Sequence, residues 1–177
     1  MPCNQFPPSR RRKTRGRFIM LFALIALALT ALPTASFAGT DTAGNVLATD
    51  NDSNPSGVEG DLYWAGQSLS LDDASVDRDI IAAGESLSIR DCTVGGAVRL
   101  AARTIDIAKT AIGGSVTVVG QHVVLNTDSI ASCFYAMGET VALRGSAKSA
   151  ALAGDTVTID GTVDGNVEVW ADKLILG

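Results

Sequence analysis

Residues 58–71, VEGDLYWAGQSLSL, have a counterpart near the far end of the chain in residues 163–176, VDGNVEVWADKLIL. Both stretches contain a valine, an acid, a glycine, an Asp or Asn, an aliphatic residue and a closing Leu-x-Leu at the same spacing. Two distant copies that align without an insertion indicate a structural period, because repeat proteins use one packing unit many times along the chain.

The period becomes visible when the small residue in the middle of each copy is used as a marker. The markers are separated by 18, 18, 18, 18, 16 and 17 residues, at Gly66, Gly84, Ala102, Gly120, Gly138, Gly154 and Ala171. An aliphatic residue stands three positions after each marker, and another stands two positions further on. Side chains two residues apart on an extended strand point to the same side, and equivalent strands stack about 4.8 Å apart. The pattern therefore predicts an all-β fold, a single-stranded parallel β-helix (β-solenoid) of about seven short coils with a period near 18 residues.

The composition favours the same architecture. Of the 177 residues, 46% are hydrophobic and 19% are charged, which is typical of a globular rather than a disordered chain. Aromatic residues make up only 5%, and 18 residues are glycine, as expected for strands joined by tight turns. We expect Val98, Ile105 and Ile107 to be buried in the middle of the stack, with glycine and small residues at the corners, where tight bends or positive φ are needed.

The first 38 residues have the composition of an export signal. Six cations between residues 10 and 17 precede an apolar run at residues 18–32, which is followed by small residues. This run of about fifteen residues is shorter than the roughly twenty that a membrane-spanning helix needs. We therefore expect residues 1–38 to be a cleaved signal peptide or, alternatively, a retained N-terminal membrane anchor. Residues 39–56 are small, polar and acidic and predict a flexible linker, so the β-solenoid domain is expected at residues 57–177.

The charge distribution bears on location and partners. Beyond residue 38 the chain carries 19 acidic and 8 basic residues, a net charge of −11. Such a surface repels phosphate, so we do not expect a nucleic-acid partner. The export signal predicts a periplasmic, cell-envelope or extracellular protein, with the inner membrane as a further partner if the N-terminal segment is retained.

The repeated phrase carries a resemblance to a known family. The pattern V-x-G-D followed by A-G-x-S-hydrophobic-S-hydrophobic at residues 58–71, with the related VDRDIIAAGESLSI at residues 76–89, resembles the bactofilins, the polymer-forming bacterial cytoskeletal proteins. The resemblance covers residues 57–177. It implies a right-handed parallel β-helix that assembles end to end into nucleotide-free, non-polar filaments and serves as a scaffold, often at the membrane. The export signal of this chain shifts the expected role to the cell envelope.

Few residues indicate site chemistry. His122 stands in an outward-facing column, so we expect an exposed polar residue rather than a catalytic one. Asp72, Asp73 and Asp91 fall at successive corners and could offer oxygen ligands to Ca²⁺, although solvated corner charges are the expected outcome. Coils without insertions lack the projecting loops that build a catalytic cleft. We therefore predict that the protein is not an enzyme and has no cofactor, no metal and no small-molecule substrate.

The cysteines of the domain are too far apart to pair. Cys92 and Cys133 lie more than two coils apart, beyond the roughly 7 Å between Cα atoms that a disulfide allows. We expect two unpaired, buried thiols.

The ends of the predicted stack are the most promising surface. A terminal coil exposes unpaired backbone groups and the apolar cross-section of the core. Trp64 lies in the first predicted coil and Trp170 in the last, where each either fills the core locally or, with Leu62, Leu174 and Leu176, forms a self-assembly interface. The predicted function is a non-enzymatic scaffold of the cell envelope that assembles with copies of itself. A monomeric β-solenoid that binds surfaces or acts in adhesion is the alternative, and a carbohydrate-active β-helix is a remote one.

Overall fold

The computed structural model describes residues 39–50, 55–126 and 129–177 of the chain, so the predicted export signal lies outside the described residues. The described part is all-β, and its strands form one 16-stranded sheet that winds into a solenoid. The strands are β1 (Gly39–Thr40), β2 (Val46–Ala48), β3 (Gly57–Val58), β4 (Leu62–Ala65), β5 (Ser68–Asp72), β6 (Ser75–Val76), β7 (Ile80–Arg90), β8 (Thr93–Val94), β9 (Val98–Ala108), β10 (Ala111–Ile112), β11 (Val116–Val119), β12 (His122–Asn126), β13 (Ser129–Leu143), β14 (Ser146–Ile159), β15 (Thr162–Val163) and β16 (Val167–Leu176).

Successive coils stack in parallel, one period apart. Strand β7 pairs with β9 so that Ile80 lies beside Val98 and Ile89 beside Ile107. The same parallel pairing continues from β13 to β14 and from β14 to β16. The predicted β-solenoid is confirmed, with strands about 18 residues apart and about 7 turns.

Each coil contributes three segments to three faces of the solenoid. The first face contains β2, β4 and β11, and the second contains β5 and β12. Longer strands such as β7 and β9 pass from the first face to the second without a break. The third face is built from two-residue strands such as β6, β8 and β10, which pair in register.

The aliphatic columns fill the interior. Val98 and Ile105 are fully buried, and Ile107 is 1% exposed, as predicted from the spacing. These columns join into a single core that runs through the described coils. Because each inner residue is covered by the coils before and after it, burial depends on the coil having a neighbour on both sides.

The positive-φ corners of the solenoid are not formed by glycine. Positive φ occurs at Asp73 (52°), Asp91 (51°) and Lys109 (48°), which follow the second-face strands of successive coils. In the described coils beyond residue 57, no glycine takes up this strained conformation. The marker glycines instead allow close stacking, since an added Cβ at Gly120 or Gly154 would lie 2.5 Å from a carbonyl oxygen of the previous coil.

The strands begin earlier than the predicted boundary at Gly57. Strands β1 and β2 lie within residues 39–56, and β2 pairs in parallel with β4, placing Val46 beside Leu62 and Ala48 beside Trp64. This stretch is therefore not a flexible linker throughout. The physical reason is that Val46 and Ala48 keep the two-residue alternation of the first face and extend its inner columns by one coil.

The Asp or Asn that recurs at the end of the V-x-G-D phrase has a structural explanation. The Oδ1 atom of Asn45 accepts a hydrogen bond from the Asp61 amide at 2.7 Å, and Oδ1 of Asp61 accepts one from the Asp79 amide at 3.0 Å. Oδ1 of Asp79 then accepts from the Ala97 amide at 2.7 Å. Each side chain thus binds the equivalent amide of the next coil and links the coils at the corner before the first face.

Candidate functional site

The C-terminal coil exposes the inner columns of the solenoid. In β16, Val167 is 44% exposed, Leu174 is 48% exposed and Leu176 is 70% exposed. The equivalent residues of a middle coil are between 0% and 4% exposed: Val98, Leu100, Ile105 and Ile107. We call Val167, Val169, Trp170, Leu174 and Leu176 the C-terminal face.

This exposure follows from the strand pairing. Strand β16 rests on β14, with Val169 beside Leu152 and Leu174 beside Val157. Among the described residues, β14 is the one strand that pairs with β16. The ten-residue outer edge of β16 is thus available to another strand, next to aliphatic side chains that a further coil would cover.

The two tryptophans occupy different environments. Trp170 is 61% exposed, in the outward column that continues from Ala153. Trp64 is only 4% exposed, and Leu62 is fully buried. Leu62 and Trp64 therefore pack in the core because β2 covers them, and their predicted place in a self-assembly interface stays a prediction.

The N-terminal end is covered on part of the first and second faces by backbone and side-chain contacts. Strand β1 pairs antiparallel with the outer edge of β2, with Thr40 beside Val46. The carboxylate of Asp50 accepts hydrogen bonds from the amides of Gln67 and Ser68, the latter at 2.9 Å. Gly66 leaves room for this carboxylate, because an added Cβ would lie 2.5 Å from it. We call β1, β2 and Asp50 the N-terminal cap.

A turn stabilised by Asp41 holds the cap together. Oδ1 of Asp41 accepts hydrogen bonds from the amides of Ala43 at 2.8 Å and Asn45 at 2.9 Å. The hydrogen bonds from Asn45 lower the pKa of Asp41. Gly44 completes the turn with a φ of 76°, a conformation that glycine adopts without strain. The sequence signal for this cap is the D-x-x-G-N stretch at residues 41–45, which a linker interpretation overlooks.

The other candidate residues lie apart from the C-terminal face. His122 is exposed on the second face, between Thr104 and Thr140 of the neighbouring coils. Asp73 and Asp91 are exposed at their corners, and Asp91 lies 4.0 Å from Lys109. Within the described ranges, no group of three or more His, Cys, Asp or Glu residues is arranged to hold a metal ion.

The thiols are unpaired but differ in exposure. Cys92 is 4% exposed, its thiol lies 2.9 Å from the carbonyl oxygen of Arg90, and burial raises its pKa. Cys133 is half-buried, so the expected burial of both thiols is wrong for this residue. Its Sγ lies 2.9 Å from Oγ of Ser149, and that hydrogen bond lowers the pKa of Cys133. Cys133 pairs in register with Ser149, one position before an inner column, so it does not point into the core.

An exposed apolar ladder on the first face was missed by sequence reasoning. Leu47 is 45% exposed, and Tyr63 and Ile81 are each 38% exposed. These residues are adjacent in register on β2, β4 and β7. They alternate with the inner column, so a two-residue pattern assigns them to the outside and gives no reason for their apolar character.

The chain matches no protein-family model, no curated protein and no solved structure. Within the described part of the chain, no helix is both long and apolar enough to cross a membrane. The candidate site is thus defined by its geometry: the coil of β16 exposes apolar side chains, and among the described residues the outer edge of β16 pairs with no strand.

Proposed function

We propose that the protein is a non-enzymatic structural scaffold of the cell envelope that assembles with copies of itself through its terminal coil. The observation that carries this proposal is the exposure of the C-terminal face, whose Leu174 and Leu176 are 48% and 70% exposed. Covering a large aliphatic side chain contributes roughly 1.5–3 kcal/mol when burial is complete, and an added strand also satisfies the edge of β16.

The resemblance to bactofilins supports self-assembly, because that family forms filaments from stacked β-helices without a nucleotide. The expected export signal, with six cations followed by an apolar run, supports placement in the periplasm, cell envelope or extracellular space. An N-terminal segment retained in the inner membrane would attach the scaffold to that membrane. The two points about location do not depend on the C-terminal face.

Two features support a structural rather than a catalytic role. The coils have nearly equal lengths, so polar side chains are spread along the outer faces rather than gathered around a cleft. The exposed large hydrophobic side chains are most concentrated on β16. A surface built from aliphatic residues and a strand edge binds another strand well and offers no nucleophile or acid–base pair.

A second candidate is a monomeric module that binds surfaces or acts in adhesion. The ladder of Leu47, Tyr63 and Ile81 favours it, because exposed aromatic and aliphatic side chains in adjacent coils form a contiguous apolar surface on the flank of the solenoid. This surface lies on the first face, so it can be tested separately from the C-terminal face.

The two functions are separated by measuring the mass of the full chain, purified in a mild detergent, over a range of concentrations. A scaffold should form dimers or larger assemblies that Leu174→Asp disrupts. The control variant Thr117→Asp places the same charge on an exposed residue of β11 and should assemble like the wild type. A wild-type protein that stays monomeric at the highest concentration would reject the scaffold and favour the binding module.

A further inference from the structure

The two ends of the solenoid are chemically unlike. The C-terminal face is open, whereas β1 and Asp50 occupy strand edges at the other end. Building on the proposed function, we infer that the C-terminal face binds the same face of a second copy across a two-fold axis, and that assembly stops at two copies.

The positions of the inner residues fit a two-fold contact. In β16 the residues that continue the inner columns are Val167, Val169, Leu174 and Leu176, and they are symmetric about the point between Ala171 and Asp172. When two copies of β16 pair antiparallel around that point, Val167 lies opposite Leu176 and Val169 lies opposite Leu174. Residues directly opposite in an antiparallel pair project to the same side, so every inner residue meets an inner residue. The two cores then join across the junction.

The outward residues are also compatible in this register. Trp170 lies opposite Lys173 of the second copy, and Glu168 lies opposite Ile175. A lysine ammonium beside a tryptophan ring is a favourable cation–π pair, and the symmetry produces it twice. Directly opposite positions carry no pair of like charges in this arrangement, which avoids the repulsion that would disfavour the register.

The N-terminal cap prevents the stack from growing further. A third copy would have to pair with the outer edge of β2, which β1 already occupies through Gly39 and Thr40. On the second face it would compete with Asp50 for the amides of Gln67 and Ser68. Leu62 and Trp64 are covered at this end, so there is little apolar surface to gain. The N-terminal end therefore favours neither contact with the N-terminal end of another copy nor contact with another copy's C-terminal face.

The resulting particle is a double-length rod. With about 7 turns in each copy and about 4.8 Å per turn, the joined rod is roughly 70 Å long. Its two N-terminal caps lie at opposite ends. The rod therefore holds the two β1 strands apart at a fixed distance, which is a mechanical role that a scaffold of defined length can perform.

Cross-linking tests the register directly. The double variant Glu168→Cys/Ile175→Cys places two thiols directly opposite across the proposed junction. It is made in a Cys3→Ser/Cys133→Ser background, so that oxidation cannot join copies through either of those thiols. Opposite Cα atoms in an antiparallel pair lie about 4.5–5.5 Å apart, within disulfide range. We expect oxidation of the full chain in a mild detergent to convert most of it to a covalent dimer. Either single variant should remain uncross-linked, because symmetry separates its two thiols by seven residues along the strands.

The outcomes separate this inference from the proposed function. A dimer in solution together with cross-linking of the double variant alone supports both. A concentration-independent monomer rejects the proposed function and the inference together. Filaments or a ladder of larger species leave self-assembly in place and reject the limit of two copies. A dimer that the double variant does not cross-link rejects the two-fold register, while the scaffold proposal remains.

Discussion

Leu174→Asp is the sharpest test of the C-terminal face, because one side chain then determines whether the junction forms. Leu174 is 48% exposed in the single chain, so about half of its surface remains to be buried on assembly. Half of the roughly 1.5–3 kcal/mol for a fully buried leucine is about 1 kcal/mol, and the two-fold junction contains the residue twice, giving about 2 kcal/mol. Placing two carboxylates in that apolar contact adds a desolvation cost of several kcal/mol.

The expected result is a large loss of affinity. A total of about 4 kcal/mol or more corresponds to an increase in the dimer dissociation constant of about 1000-fold. Sedimentation equilibrium of the wild type, Leu174→Asp and the control Thr117→Asp would measure these constants. Circular dichroism should show unchanged β content, since Leu174 packs on Val157 at the end of the stack and the middle coils do not depend on it. Equal dissociation constants for the wild type and Leu174→Asp would refute the assignment of this face to assembly.

Four further predictions concern stability and processing. Ile105→Ala, a cavity in the fully buried middle of the stack, should lower the free energy of unfolding in urea by roughly 2–4 kcal/mol, whereas Thr117→Ala on the outside should change it by less than about 0.5 kcal/mol. The pKa of Asp79 is lowered mainly by the hydrogen bond from the Ala97 amide and next by the one from Arg99. The ionised carboxylate should therefore stabilise the fold at neutral pH, and this stabilisation should be lost as the pH falls below the ordinary aspartate range. In a pH series of urea unfolding, the free energy of unfolding of Asp79→Asn should depend less on acid than that of the wild type, and an equal dependence would contradict this. Asp50→Ala should accelerate hydrogen exchange at the Gln67 and Ser68 amides by about tenfold relative to the amides of β9, and equal protection in both proteins would argue against the cap. If residues 1–38 are a cleaved signal, mass spectrometry of the protein recovered after export should find a new N-terminus at or near Gly39, while an intact Met1 in the membrane fraction would favour the anchor.

The repeat architecture was predictable because the same short-range rule operates in every coil. Alternation of two residues identifies the inner columns, and their recurrence after about 18 residues requires the strands to stack in parallel. Burial of Val98 and Ile105 follows from these two facts without knowledge of the rest of the fold. A residue that departs from the pattern at one or two positions does not change the predicted fold, because several coils contribute an aliphatic residue to each inner column.

The ends were harder to predict because they break the repeat. Val46 and Ala48 provide only two inner positions within an acidic stretch, so composition outweighs periodicity there and predicts a linker. The contact of Asp50 with the Gln67 and Ser68 amides joins residues 17 and 18 positions apart, and nothing local to Asp50 indicates it. As a result the repeat pattern places Trp64 in the first coil, although β2 covers it.

The positive-φ corners show a similar limit of sequence reasoning. Asp73 and Asp91 adopt a conformation that aspartate tolerates better than most residues, but Lys109 adopts it as well. Lysine has no intrinsic preference for this region, so the stacked coils on either side must impose it. The tertiary structure therefore determines the positive φ at these corners, and the residue type accounts for it only in part.

In the proposed assembly, the difference between the two ends would limit the number of copies that join. Uniform stacked coils have no intrinsic stopping point, and two open ends would give indefinite growth through edge pairing. Here the antiparallel β1 and the carboxylate of Asp50 occupy one end, while Leu174 and Leu176 remain exposed at the other. A single open face that is symmetric about the point between Ala171 and Asp172 can be satisfied by one more copy of itself. On this proposal the N-terminal cap would set the size of the assembly, and removing the cap is the change that should turn a dimer into a filament.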